Sequence, residues 1–213
     1  MIAGWTPGTP ATYVNNGPSD SSLVALTFHL AGATPLVTRL LDLLQANAVR
    51  STLFAIGDWL GAHPTLAQQA LTDGHELGNH TKSHQAMLEL DRAHVHAEIA
   101  GGAEALVPFI GSIGKWFRPS GTDVPTPMIL EEAGKVGYPV SVGYSIDSRD
   151  YTEPGAHAVI DNVVGSLRPG AIVSLHFGHA DTLSALPSIL DHIAALGLRT
   201  ATITELLERA PSS

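Results

Sequence analysis

Short apolar runs alternate with amphipathic stretches from Leu23 onward. Leu23–Phe28 predicts a strand, and Gly32 with the pair Thr34 and Pro35 then opens a helix carrying Leu36, Leu40, Leu43 and Leu44 on one face. The same rhythm predicts strands at Thr52–Ile56, His75–Gly78, Lys115–Phe117, Tyr138–Tyr144, Ala171–Leu175 and Leu198–Thr200. Helices are expected after Pro64 and over Gln85–Leu106, Pro125–Val136, Ala158–Leu167, Thr182–Leu196 and Ile203–Ala210. Repeated units of this kind predict a parallel sheet covered by helices. His29, His80, Arg118, Asp147 and His176 each follow a different predicted strand. A closed barrel gathers such ends at one rim, whereas an open sheet offers one crevice. The expectation is therefore α/β, a distorted (β/α) barrel of about seven parallel strands. It forms one domain over residues 21–213, after an irregular arm, residues 1–20, that is either pinned to the body by Trp5 and Tyr13 or free.

Composition narrows the function more than the fold. The chain has 213 residues, 44% of them hydrophobic, with 21 glycines, which suits one large core with tight turns. Its 20 acidic and 11 basic side chains give a formal charge of -9. No basic stripe is present, which argues against nucleic acid or an anionic membrane as partner. Cysteine is absent, excluding disulfides and thiolate metal sites but leaving the compartment open. No apolar run reaches the roughly 18 residues of a membrane span, and no basic-then-apolar leader is legible at the N-terminus.

The chemistry gathers in a few clusters. His80 and His84 are four apart, so a helical turn would set both rings on one side. Imidazoles suit zinc, cobalt, nickel or iron, but two of them need at least one more ligand and an open water position; a solvated first-turn pair is the plainer alternative. Arg118 precedes Pro119 and can equally be a surface turn. Asp147 and Asp150 bracket a turn where aspartates commonly cap. His176, at a late strand end, is either a buried structural histidine or a proton-transfer group.

Taken together, the clusters resemble a known family: Thr27 and Phe28, Gly78–His84 (Gly-Asn-His-Thr-Lys-Ser-His), Arg118–Gly121, Asp147–Tyr151 and the strand into His176. In order and spacing they are similar to the polysaccharide deacetylase superfamily, the NodB-like carbohydrate esterases, over residues 23–207. The resemblance implies a divalent metal, zinc foremost, with His80 and His84 as its histidine ligands. The family's first motif, Thr-Phe-Asp-Asp-Gly, reads Thr27, Phe28, His29, Leu30 and Ala31 here. Leu30 cannot bind a metal. His29 is a third ligand in a neutral three-histidine site, or a base beside a weakly held ion, or part of a degenerate site without metal.

By the same resemblance His176 is the general acid, tuned by Asp147 in preference to Asp150. Arg118 holds one of those aspartates or approaches the oxyanion. Substrate contacts fall to the backbone at Gly121, to Tyr151 in place of the family's tryptophan, and to Leu175. The implied activity is removal of acetyl groups from an N-acetylglucosamine-containing or O-acetylated polysaccharide, by a secreted or envelope-associated protein. The rivals are a glycan-binding protein that lost the reaction and a small amide or imide hydrolase.

Overall fold

The computed structural model describes residues 5–208. In chain order the strands and helices are β1 Thr12–Val14, β2 Leu23–Leu30, α1 Thr34–Ala46, β3 Thr52–Ala55, α2 Gly57–Ala62, α3 Pro64–Thr72, β4 Glu76–Asn79 and α4 Arg92–Ile110. They continue with α5 Pro127–Val136, β5 Val140–Val142, β6 Ile146–Asp147, α6 Ala156–Val164, β7 Ile172–His176, α7 Ala180–Ala195, β8 Arg199–Ala201 and α8 Ile203–Leu207. The ladders β1–β5, β2–β7, β2–β8 and β6–β7 are all parallel. The chain forms two compact units, one of residues 1–14, 54–68 and 77–143, the other of 15–53, 69–76 and 144–213.

The second unit is built around β2, flanked by β7 and β8. Every residue of β2 is buried except His29, and every residue of β7 except His176. A strand buried on both faces reads as a continuous apolar run, which is why the sequence marks it so clearly. The parallel register pairs Ala25 with Ile172 and so carries His29 opposite His176 at the strand ends. Of the expected α1 face, Leu40 and Leu44 are buried, joined by Val37 and Leu41.

In the first unit, Phe117 bridges Asn79 on one side and Ser141 of β5 on the other. The expected strand at Lys115–Phe117 is reduced to that bridge. The region expected to be an irregular arm also contains structure. Residues 12–14 pair with β5, while Ala11 N–H donates to Leu130 O at 2.8 Å and Gly8 N–H to Gly134 O at 3.1 Å. Gly134 makes this possible, since a Cβ there would stand 1.8 Å from Thr9 O. Tyr13 also pins this segment, donating its hydroxyl to Asp123 O at 3.1 Å. The helix expected from Gln85 starts at Arg92, where Asp91 caps it by accepting from His94 N–H. It runs past Leu106 to Ile110 and stops at Gly111, in the left-handed region at φ 69°.

One buried group predicts a pH effect on stability. His75 Nδ1 accepts Ser51 N–H at 3.2 Å, so the neutral ring carries its proton on Nε2. Burial pushes its pKa below the ordinary 6.5, with the charge of Asp73 opposing. The unfolded chain then binds the proton more readily than the folded one. Stability from this group is present above the ordinary imidazole pKa and falls as pH drops through it. Thermal unfolding at about pH 7.5 and pH 5 should show a lower midpoint in acid. His75→Gln should flatten that difference; an unchanged slope would remove His75 as a contributor.

Candidate active site

In the first unit, β4 delivers Asn79 and then His80 into an irregular segment. Thr81 and His84 take positive φ values of 67° and 63°. The helical turn expected for the histidine pair is therefore absent, yet the rings meet edge to face with centroids 4.9 Å apart. The buried Asn79 amide holds the bend. Its Oδ1 accepts Thr81 N–H at 2.8 Å, and its Nδ2 donates to Ile99 O at 2.9 Å and to Tyr138 Oη at 3.1 Å. Burial pushes the Tyr138 phenol well up, so it stays protonated and donates to Ile113 O at 2.6 Å.

Two further residues of this unit were not legible as functional. Glu98 of α4 accepts from Ser83 Oγ at 2.6 Å, Ser83 N–H at 2.9 Å and Gln85 Nε2 at 3.2 Å. Burial raises its pKa, but the hydrogen bonds from Ser83, with those from Thr81 and Gln85, outweigh this and hold the carboxyl below its usual range. Ser120 donates to Gln85 O at 2.6 Å and meets Thr81 Oγ1 at 3.1 Å. These contacts clamp the segment between His80 and His84.

His80 Nδ1 lies 2.9 Å from Arg118 O. A carbonyl brings no proton, so Nδ1 is the N–H and Nε2 of the neutral ring carries the lone pair. This backing fixes a tautomer suited to ligation through Nε2. Arg118 is buried. Its Nε donates to Val142 O and its terminal nitrogen to Gly143 O, both at 2.9 Å, with Cζ 4.1 Å over the Phe54 ring. It thereby joins β5 to the turn and sets the carbonyl behind His80. Gly121 is exposed, in a left-handed turn at φ 69°.

In the second unit the strand ends carry a chain of polar contacts. His29 Nδ1 lies 2.7 Å from His176 Nε2, and His176 Nδ1 lies 2.6 Å from Asp150 Oδ1. Asp150 is fully buried and also accepts from His176 N–H at 2.7 Å and Thr182 Oγ1 at 2.6 Å. Burial pushes its carboxyl up, but the bonds and charge from His176, with Thr182, prevail and hold it below the usual range. The carboxylate on His176 is thus Asp150 and not the expected Asp147. Asp147 accepts from Arg149 N–H at 3.0 Å, and its other oxygen lies 3.5 Å from Tyr151 Oη. Proximity to the strand end was the wrong guide. The left-handed residue Arg149, at φ 56°, reverses the chain into a short 3-10 turn over Asp150–Thr152, where Asp150 is buried.

Tyr151 is half exposed, its ring centroid 5.2 Å from that of His176. Leu175, expected at the substrate, is fully buried beside Phe28. It belongs to the core because side chains alternate along a strand. Leu30 is likewise buried.

Among the described residues, no group of three or more His, Asp or Glu side chains is arranged to hold a metal ion. One nitrogen of His29 is engaged by His176, and the rings of His80 and His84 meet edge to face.

The protein is a parallel α/β scaffold with a buried carboxylate–histidine pair at a strand end. The family model described as polysaccharide deacetylase matches residues 16–141. A peptidoglycan-N-acetylglucosamine deacetylase of Bacillus cereus is 31% identical over 93% of this chain and 94% of its own length. The chain belongs to the polysaccharide deacetylase family. Among solved structures, a peptidoglycan N-acetylglucosamine deacetylase superposes with a TM-score of 0.86 at 24% identity, covering 94% of this chain and 95% of that one. A family 4 carbohydrate esterase pseudoenzyme from Bacillus anthracis gives 0.84 at 23% identity, over 93% and 69%. These likenesses show the fold, the distorted α/β barrel class expected from the sequence.

Proposed function

We propose that this chain hydrolyses acetyl groups from N-acetylglucosamine-containing glycans, with Asp150 and His176 as its proton-transfer dyad. The observation that carries this reading is the 2.6 Å contact between a fully buried carboxylate and a histidine at the strand end. An aspartate there fixes the tautomer of His176 and stabilises its imidazolium. Protonated His176 is the source of the proton that reaches the leaving amine. A divalent cation, zinc by the preference of imidazole for that ion, would take His80 and His84 as protein ligands and supply Lewis-acid polarisation when bound. A site limited to those two histidines would hold it weakly. Peptidoglycan or chitin-like chains as substrate place the action at the cell envelope or outside it. The similarity to deacetylases named for peptidoglycan and chitooligosaccharides supports this substrate class.

The test is mass spectrometry of N-acetylated chitooligosaccharides and peptidoglycan fragments after incubation with the protein, with and without added zinc. Loss of acetyl groups in the parent and none in His176→Ala is the expected result. The second reading, a glycan-binding protein without turnover, is favoured by Leu30 in the first motif. Binding of the same oligosaccharides with no acetyl loss at any zinc concentration would establish it. Elemental analysis adds a further expectation: zinc should be retained poorly after dialysis, and His80→Ala/His84→Ala should remove what remains. Retention near one equivalent would point to a third protein ligand, with His29 the first residue to substitute.

A further inference from the structure

The contact between His29 and His176 extends the dyad in a direction the family motif does not anticipate. Asp150 is held ionised, so it requires the proton on His176 Nδ1. A neutral His176 then has a lone pair on Nε2, the atom 2.7 Å from His29 Nδ1. Two lone pairs cannot face each other at that distance, so His29 carries its proton on Nδ1 and its own lone pair on Nε2. The parallel register of β2 and β7, which aligns residue 29 with residue 176, enforces the arrangement. The two rings meet almost perpendicularly, at 89° with centroids 4.3 Å apart. An edge nitrogen of one ring can therefore address an edge nitrogen of the other.

We infer that Asp150, His176 and His29 form one proton relay, and that His29 Nε2 is its accepting end. This rests on the proposed hydrolysis for its chemical use. A water attacking the acetyl carbonyl gives a proton to His29 Nε2, and the Nδ1 proton of His29 passes to His176 Nε2. His176 becomes an imidazolium beside Asp150, which stays ionised. As the carbon–nitrogen bond breaks, the proton returns to the leaving amine, so the two protons of water end on the amine and the acetic acid formed.

The test is the protonation pattern of the imidazole nitrogens in the full-length protein, read by long-range proton–nitrogen NMR with 15N-labelled histidine. Signals are assigned through His29→Gln and His176→Gln. In the parent at neutral pH, His29 should be the Nδ1–H tautomer with Nε2 unprotonated. In Asp150→Asn, the side-chain amide donates to His176 Nδ1 and moves its proton to Nε2. His29 should then switch to the Nε2–H tautomer although it does not touch residue 150. A parent His29 protonated on Nε2 would overturn the relay, as would a tautomer unmoved in a folded Asp150→Asn. If that variant fails to fold, the parent spectrum alone decides. The relay can hold where deacetylation fails, and acetyl loss can occur with His29 in the other tautomer, so the two results separate this inference from the proposed activity.

Discussion

Replacing Asp150 with alanine should lower acetyl hydrolysis by about 10²–10⁴-fold, the range spanned by positioned acid–base groups. The carboxylate orients His176 and offsets its charge, and neither service survives the substitution. The same change strands three donors: His176 Nδ1, His176 N–H and Thr182 Oγ1. Each stranded buried donor costs about 1–3 kcal/mol, with local relaxation keeping the total below their sum. A net loss near 3 kcal/mol should lower the unfolding midpoint by about 6–12 °C for a chain of this size. Two readouts separate the effects: kcat measured well below the new midpoint, and calorimetry of both proteins. Thr182→Val provides the comparison, removing one bond to Asp150 while leaving the dyad in place. It should lower stability by about 1 kcal/mol and kcat only modestly. Equal activity in Asp150→Ala and the parent would show that His176 needs no carboxylate and would sink the dyad as the basis of the activity.

Gly102→Ala should destabilise the fold by about 1–3 kcal/mol and disturb the segment from Thr81 to His84. The sign is the informative part. Alanine in a helix interior is favoured over glycine by about 1 kcal/mol, so propensity alone predicts stabilisation. A Cβ at residue 102 would instead stand 2.2 Å from Asn79 Oδ1, 2.7 Å from Thr81 C and 2.8 Å from Thr81 O. Asn79 cannot yield easily, because its amide already holds Thr81, Ile99 and Tyr138. Repulsion therefore outweighs propensity, and α4 must move back from the bend that carries His80. Gly61→Ala is the control. It lies in α2 with nothing within 4 Å of its added Cβ, so the same substitution should be neutral or stabilising there. Thermal unfolding of both variants, with the ring signals of His80 and His84 followed by NMR, checks the contrast. A more stable Gly102→Ala with unchanged histidine signals would refute the close approach.

Element identity was largely legible because burial imposes composition. β2 and β7 are enclosed on both faces, so their sequences are apolar until His29 and His176 at the ends. Helix ends were less legible. A left-handed His84 delayed α4, and such a conformation leaves little trace in side-chain type. The N-terminal residues read as irregular because a three-residue strand is too short to show alternation; its pairing with β5 supplies what its own sequence lacks.

The sequence by itself determined the class of fold, the family frame, and the imidazoles and carboxylates available for chemistry. It also determined that residue 30 is a leucine, which no packing can turn into a ligand. Tertiary structure decided which groups meet. Asp150 took His176 in place of Asp147 because a left-handed Arg149 turned the chain and buried the later carboxylate. Arg118 went to the carbonyls of Val142 and Gly143, and Leu175 into the core. His29 was joined to His176 by a strand register linking residues 147 positions apart. Spacing along the chain reports which side chains share a face of one element. Contacts between elements depend on register and backbone handedness, and those are set only when the strands pair.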